Sequence, residues 1–493
     1  MAFEALQEGV PQVQGKIRFQ DFAPDVDPTV PGILLDMTNM VPTAKGYRSY
    51  PRLTKYTINA LPAECVGAYG TTIGGQLVIL AGISNKLYFL NNTTSFADSL
   101  LTPTATSGRW RFDEYAGVIV AVNGVNTPYT YNGTTFGNLA GSPPVASIVQ
   151  ATKYSLFLIL ANSSDWISTL NSTVWTPSIA TETVTGTIRS GSGNITAAHR
   201  IRGGIAIYKK KTLTFGQFSG PPFFWNFGNG ISDEIGTYGQ ECVANIGDIH
   251  YFPGPDDFYS FDGYSLQRLP NNLKEWFFDN LNQSVADHIV ARWDQKRSLI
   301  FWHFPSVRAN PSTALDSWIC FNVRTGKWAA DTSATRIDFP LFSTIETGQL
   351  TYSVLTTLYP TYAAMNFDYG DLQSRTNEQA SAIRNDDHAL HIYNGNPGEA
   401  SLTTHDFGDR DNMFQITGVR PHYEIYPDSA TLQPLSQLKK SGTAPVAGTA
   451  RAISDDWEFN FINTARMQRL KHVSQGECEM TGLEAAIGYG GDH

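Results

Sequence analysis

The residues best suited to chemistry are acidic. Asp248, Asp257 and Asp294 each stand at the edge of a short aromatic run, and carboxylates converging from separate strands are the equipment of glycoside hydrolysis. No spacing pairs these three, and acidic residues are common in turns, so a turn role is the expectation. "HDFGDRD", from His405, holds Asp406, Asp409 and Asp411 close together. It lacks the spacing and terminal Glu of an EF-hand loop, which favours a solvated turn, and the triplet Asp406-Phe407-Gly408 has none of the companion motifs of a kinase. His388 and His391, in the apparent strand "HALHIY", would face opposite sides of it, which argues against a shared metal. Cys65, Cys242, Cys320 and Cys478 are widely spaced, form no CxxC and read as buried thiols. The basic cluster Lys209-Lys210-Lys211 falls in a hairpin turn and reads as a solvated loop. No Gly-rich phosphate loop or nucleophile elbow is present, so no catalytic residue, cofactor or metal ligand is expected.

The elements that would position such groups repeat along the chain. "PDDFYSFDGYSLQRLP", from Pro255, alternates around aromatic residues, turns at Asp262-Gly263 and alternates again, the signature of a hairpin of half-buried strands. The same shape recurs from Lys86, Thr127, Asp165, Thr212 and Asp316, with a looser turn at Asn171-Ser172 in the copy from Asp165. Each hairpin follows a short apolar strand: "GGQLVILAGI", "YAGVIVAVNG", "KYSLFLILAN", "IRGGIAIYKK", "IGDIHYFPGP" and "KRSLIFWHFP". These read as the inner strands of six units, spaced as four-stranded propeller blades are. A β-sandwich does not require one internal order repeated in every unit, so a propeller is the better reading.

With 493 residues, 12% aromatics, 43 glycines and 16% charged residues, the chain suits a large all-β protein. The formal net charge of −10 argues against a protein that grips nucleic acid, because phosphate affinity comes from Lys and Arg. No run approaches a membrane span, and the start "MAFEALQEGVPQVQGKIRF" has neither a charged n-region nor an apolar h-region, so the chain is expected to stay where it is made. Asn91, Asn92, Asn132, Asn162, Asn171, Asn194 and Asn282 stand in N-x-S/T triplets and read as turn residues rather than glycan sites.

Three regions follow. Residues 1–58, with the Pro-rich "DFAPDVDPTVPG", read as an extended N-terminal arm whose first 50 residues could be removed to leave a soluble propeller. Residues 59–400 read as the propeller: six units to about 335, then 339–400 as material for a seventh or closing blade. Residues 401–493 read as a small β-sandwich in which "LQPLSQLKKSGTAPVAGTARA" looks mobile. "LKEWFFDNLN", from Leu273, is the best helix candidate.

The arm carries a resemblance. In "LLDMTNMVPTAKGYRSYPRL", the residues Asn39, Pro42, Gly46, Tyr47, Arg48, Ser49 and Pro51 resemble the opening of tail hub and nozzle proteins of short-tailed bacteriophages, including packaged-DNA stabilisation proteins. That family often has Gly where this chain has Arg52. The stretch from Arg200 to Pro270 is similar to the same family in order and spacing. The resemblance implies a virion protein made in the bacterial cytoplasm without cofactor or small-molecule substrate. It also implies a homo-hexameric ring below portal and adaptor, meeting a tail needle, plug or tail fibres, and a DNA channel through which the genome passes without tight binding. The alternative is a carbohydrate-binding or glycoside-hydrolase propeller.

Overall fold

Six of the repeats fold as four-stranded antiparallel meanders, at 67–98, 111–138, 146–187, 195–227, 244–268 and 290–331, and are blades 1 to 6. The computed structural model describes residues 13–73, 76–91, 93–101, 103, 108–228, 230–342, 345–346, 378–408, 411–439 and 444–489. A seventh blade is composite. Its strands Ile337–Pro340, Ser381–Arg384 and Leu390–Gly395 are completed on the outside by Arg52–Lys55, so the chain's early residues close the ring. The first strand of blade 7 then abuts the first strand of blade 1.

The apolar runs are not the innermost strands. Each is the second strand of its sheet, and the axis is lined by the more polar first strands, such as Arg111–Tyr115 and Ile195–Ile201. The reason is burial: a second strand has a neighbouring blade on each face, whereas a first strand has one edge on the axial cavity. Leu299–Phe304 and Gly204–Lys209 are buried at every position, which calls for continuous apolar character instead of alternation. For the same reason Phe258, Tyr259 and Phe261 are all buried, and the half-buried alternation read there does not hold. Asp262-Gly263 is also no two-residue hairpin. Phe261 pairs with Leu266, and the loop between them is fixed by Asp262, whose carboxylate accepts from the N–H groups of Tyr264 and Ser265 at 2.9 and 2.8 Å. In blade 3, Asp165–Thr169 pairs with Thr183–Thr187, so Asn171-Ser172 opens a long connection rather than a tight turn.

The arm and the C-terminal region form one module. One sheet runs Met40–Pro42, Tyr47–Ser49, Glu479–Tyr489, Phe414–Ile425, Phe459–Ala465, with Val13–Arg18 also paired to Glu479–Tyr489. The other is built on Leu34–Thr38, Glu399–Thr404, Met467–Gln475 and Ser429–Gln437. Met37, Val41, Leu402, Ile416, Leu432, Phe459, Leu470 and Met480 fill the space between them in a core that continues into blades 5 and 6. The segment read as mobile begins in strand Ser429–Gln437 and returns to pair with it at Val446–Ala447 and Arg451–Ala452. The helix Lys274–Asn280 forms where expected, with its first N–H groups satisfied from afar: Asp25 accepts from Glu275 N at 2.7 Å and Trp276 N at 2.9 Å. No helix among the described residues is long and apolar enough to cross a membrane.

Candidate functional site

Of the residues that carry the resemblance, Asn39, Pro42 and Tyr47 reach blade 6 at the joint between the two modules, while Gly46, Arg48 and Ser49 pack within the two-sheet module. Asn39 takes a positive φ of 53°, which Asn tolerates. Its N–H donates to Asp331 of blade 6 at 2.8 Å, and its side-chain amide donates to Pro397 O at 3.1 Å. The Pro42 carbonyl accepts from Asn322 Nδ2 at 3.1 Å. Tyr47, fully buried, donates to Trp328 O at 3.1 Å, and Arg48 pairs with Glu477. Ser49 accepts from Cys478 N at 2.9 Å, and Pro51 leads directly into the strand that closes blade 7.

Tyr50 finishes the joint. Its hydroxyl donates to Asp294 at 2.7 Å and accepts from Arg292 at 3.1 Å. The Arg292 guanidinium, wholly buried, lies 4.1 Å from the Phe301 ring centre and 4.4 Å from that of Tyr393. This planar cation between rings is a stacked cation–π arrangement. Sequence reasoning missed Arg292 and Tyr50, although a lone Arg inside the run "IVARWD" was a signal of a buried polar role.

Gly46 is needed for close approach: a Cβ there would sit 2.2 Å from Met480 O. Gly46→Ala is therefore expected to destabilise the protein by about 1–3 kcal/mol, the usual cost of overpacking, read as a lower urea midpoint at unchanged slope. An unchanged midpoint would show that the joint yields easily.

The propeller axis holds a cavity of about 540 Å³ lined by first strands of all seven blades. It is not an open bore. Arg111 of blade 2 reaches Glu241, between blades 4 and 5, at 2.9 Å, and Arg109 approaches the same carboxylate at 3.8 Å. Burial opposes ionisation of Glu241, but Arg111 and Arg109 outweigh it and hold the carboxyl down at about 2. Asp113 accepts from Ala151 N at 2.6 Å and Gln150 Nε2 at 2.5 Å, tying blade 2 to blade 3, while burial pushes it up to about 6. His199 Nε2 donates to Gln240 O at 2.8 Å. These groups were not singled out in the sequence, where "RFDEY" signalled only a polar strand.

The candidates read from sequence are scattered. Asp248 and Asp257 lie at opposite ends of strand Ile249–Pro253, and Asp294 is occupied at the joint, so the three do not converge. Asp257 is held by Asn271 at 2.6 Å. Asp406 is no solvated turn: it is buried and forked by Arg469 at 2.5 and 3.1 Å. Asp409 lies outside the described residues, and no metal-holding group of three or more ligands exists among those described. His388 pairs with Asp338 and His391 with Asp387, each separately. Lys209 also departs from the solvated reading. It is buried, donating to Ile188 O at 2.9 Å, while Lys210 and Lys211 are exposed. All four cysteines are free and buried. Asn132, Asn171 and Asn282 do serve as turn acceptors, for Thr134 N, Thr173 N and Ser284 N.

Buried imidazoles set an acid limit. Burial depresses His250 to about 3 and His472 to about 4, and each shares a hydrogen bond with a tyrosine hydroxyl, at 2.7 and 2.6 Å. The unfolded chain binds these protons first, so their contribution is complete above about pH 6.5 and is lost as pH falls toward the folded values. Between pH 7.5 and 5 the loss is roughly 2 kcal/mol per imidazole. Asp113 offsets it in part, because the folded state protonates that carboxyl first. A thermal melt at the two pH values is expected to show a lower midpoint at pH 5; equal midpoints would mean the imidazoles are solvated.

The described residues define the class: a seven-bladed β-propeller closed by an N-proximal strand and locked to a two-sheet module. No protein-family model matches the chain, and no curated protein matches it. Among solved structures, the chain is similar to the computationally designed Ika8 protein at 8% identity and TM-score 0.38, covering 77% of this chain and 98% of that one. It is similar to YCF48 bound to D1 peptide at 9% identity and TM-score 0.39, covering 72% and 97%. The fold assignment stands on the strand pairing.

Proposed function

We propose that the chain is a structural, non-enzymatic subunit of the tail hub or nozzle of a short-tailed bacteriophage. In this reading it forms a six-fold ring below portal and adaptor, next to a tail needle, plug or fibres, and it prolongs the DNA channel and helps retain the genome. The observation that carries the reading is the joint. Of the residues resembling the family's opening, Asn39, Pro42 and Tyr47 tie the two-sheet module to blade 6 through Asp331, Asn322 and Trp328, and Tyr50, within the same stretch, adds the contact to Arg292. A subunit that must hold its place in a ring under load benefits from modules that cannot swing. Because Arg111 and Glu241 cross the propeller axis, the channel in this reading is enclosed between subunits, by heterologous contacts that close into a ring.

The deciding experiment is mass spectrometry and imaging of purified phage particles, with the chain expected in six copies at the tail and particles lacking it expected to lose their genome. Absence from particles would end the proposal. Six subunits carry 6 × −10 = −60 formal charges, which disfavours tight phosphate contact. The purified protein is accordingly expected not to shift double-stranded DNA at physiological salt, and submicromolar, salt-sensitive binding would contradict the reading.

A further inference from the structure

The two-sheet module has an outward face that the joint does not use. Across strands Val13–Arg18, Glu479–Tyr489 and Phe414–Ile425, the register aligns Lys16, Glu484 and Arg420 in one row and Arg18, Gly482 and His422 in the next. Gly482 leaves the floor open between Arg18 and His422, and it must: a Cβ there would lie 2.1 Å from Ile17 O. The result is a groove of about 780 Å³ that ends at Tyr426, Trp457 and Asp456.

Its aromatic end is exposed and held in place. Tyr426, 56% exposed, meets Trp457 edge-on at 4.8 Å and 69°. Trp457 stands at φ 60°, an uncommon conformation for a bulky residue, and it packs on Tyr423 at 5.9 Å. Two of the cations that line it are engaged, Lys45 with Glu424 at 3.0 Å and Arg420 with Glu458, which leaves Lys16 and Arg18, both exposed, to face a ligand.

We infer that this groove binds an acidic saccharide. The C–H face of a sugar ring covers Tyr426, its carboxylate meets Arg18 and Lys16, and a hydroxyl finds an acceptor in Asp456. Mixed donors and acceptors beside one exposed ring suit a hydroxyl-rich ligand. Nucleic acid fits less well, because the rings stand edge-on instead of offering successive parallel faces for bases.

The test is calorimetry on the purified full chain with tetragalacturonate and tetrasialate, against maltotetraose and octathymidylate. Binding of an acidic oligosaccharide but not maltotetraose is expected, weakened about tenfold by Tyr426→Ala and about tenfold by Arg18→Ala, both changes being on the surface. No binding of either acidic probe at millimolar concentration, equal binding of maltotetraose, tighter binding of octathymidylate, or indifference to both variants would overturn the inference. Calorimetry of the isolated chain makes no use of particle assembly, so failure here leaves the tail-hub reading standing, and absence from particles leaves this site standing.

Discussion

A chain that starts at residue 59 is expected to be recovered as aggregate, not as a soluble propeller. The deletion removes Arg52–Lys55, the outer strand of blade 7, and leaves Leu390–Gly395 as an open edge beside a ring that has lost its closure. It also removes four strands of the two-sheet module, and with them Met37, Met40, Val41, Tyr47 and Tyr50 from the core shared with blades 5 and 6. Each large buried side chain lost costs roughly 2–5 kcal/mol, so the sum exceeds the margin of about 5–15 kcal/mol by which domains are stable. Stopping the deletion at residue 50 spares the closing strand but still strips the sandwich, which corrects the expectation of a dispensable arm. Size-exclusion chromatography and circular dichroism check this: a monodisperse, β-rich product from either deletion would show the arm to be an accessory.

Arg292→Ala is expected to be the most damaging single substitution at the joint, at about 3–5 kcal/mol, the usual cost of removing one partner from a buried ionic network. The change leaves a void between Phe301 and Tyr393 and deprives the Tyr50 hydroxyl of its donor. Arg292→Lys keeps the charge but loses the planar stacking surface, so an intermediate effect is expected. Arg297, whose side chain is 31% exposed and pairs with the same Asp294, should cost within about 1 kcal/mol when truncated. Urea titration of the three variants gives the order. A result in which Arg297→Ala equals Arg292→Ala would place the weight on Asp294 rather than on the stacked cation.

The repeat was legible because it is local: each blade is a meander whose turns and aromatic strands lie within one stretch of chain, as in Lys86–Asn91 or Ser317–Asn322. Helix Lys274–Asn280 was legible for the same reason. What sequence reading missed depends on distant partners. Nothing within Arg52–Lys55 indicates that it will pair with Leu390–Gly395, and nothing near Asp406 indicates Arg469. Apolar character does not mark the inner strand of a blade. It marks the position between two neighbouring blades, while the axial strand carries Arg111 and Asp113.

The clamp between the start and the end of this chain has a consequence for how the protein is born. Ser49 and Cys478 are bonded to each other although 429 positions separate them. On a ribosome moving at about 5–20 residues per second, roughly 20–90 s pass between the emergence of the first and of the second. For most of that interval Leu34–Thr38, Tyr47–Ser49 and Arg52–Lys55 are synthesised strands still waiting for Glu399–Thr404, Glu479–Tyr489 and Leu390–Gly395. Blades 1 to 6 can form in the order they emerge, but the ring cannot shut before Leu390–Gly395 appears, and the early strands cannot be covered before Glu399–Thr404 and Glu479–Tyr489 follow. The nascent chain therefore carries uncovered strands while all six blades are being made, and its yield in a cell should depend on holdase chaperones at the exit tunnel more than on the stability of the finished molecule.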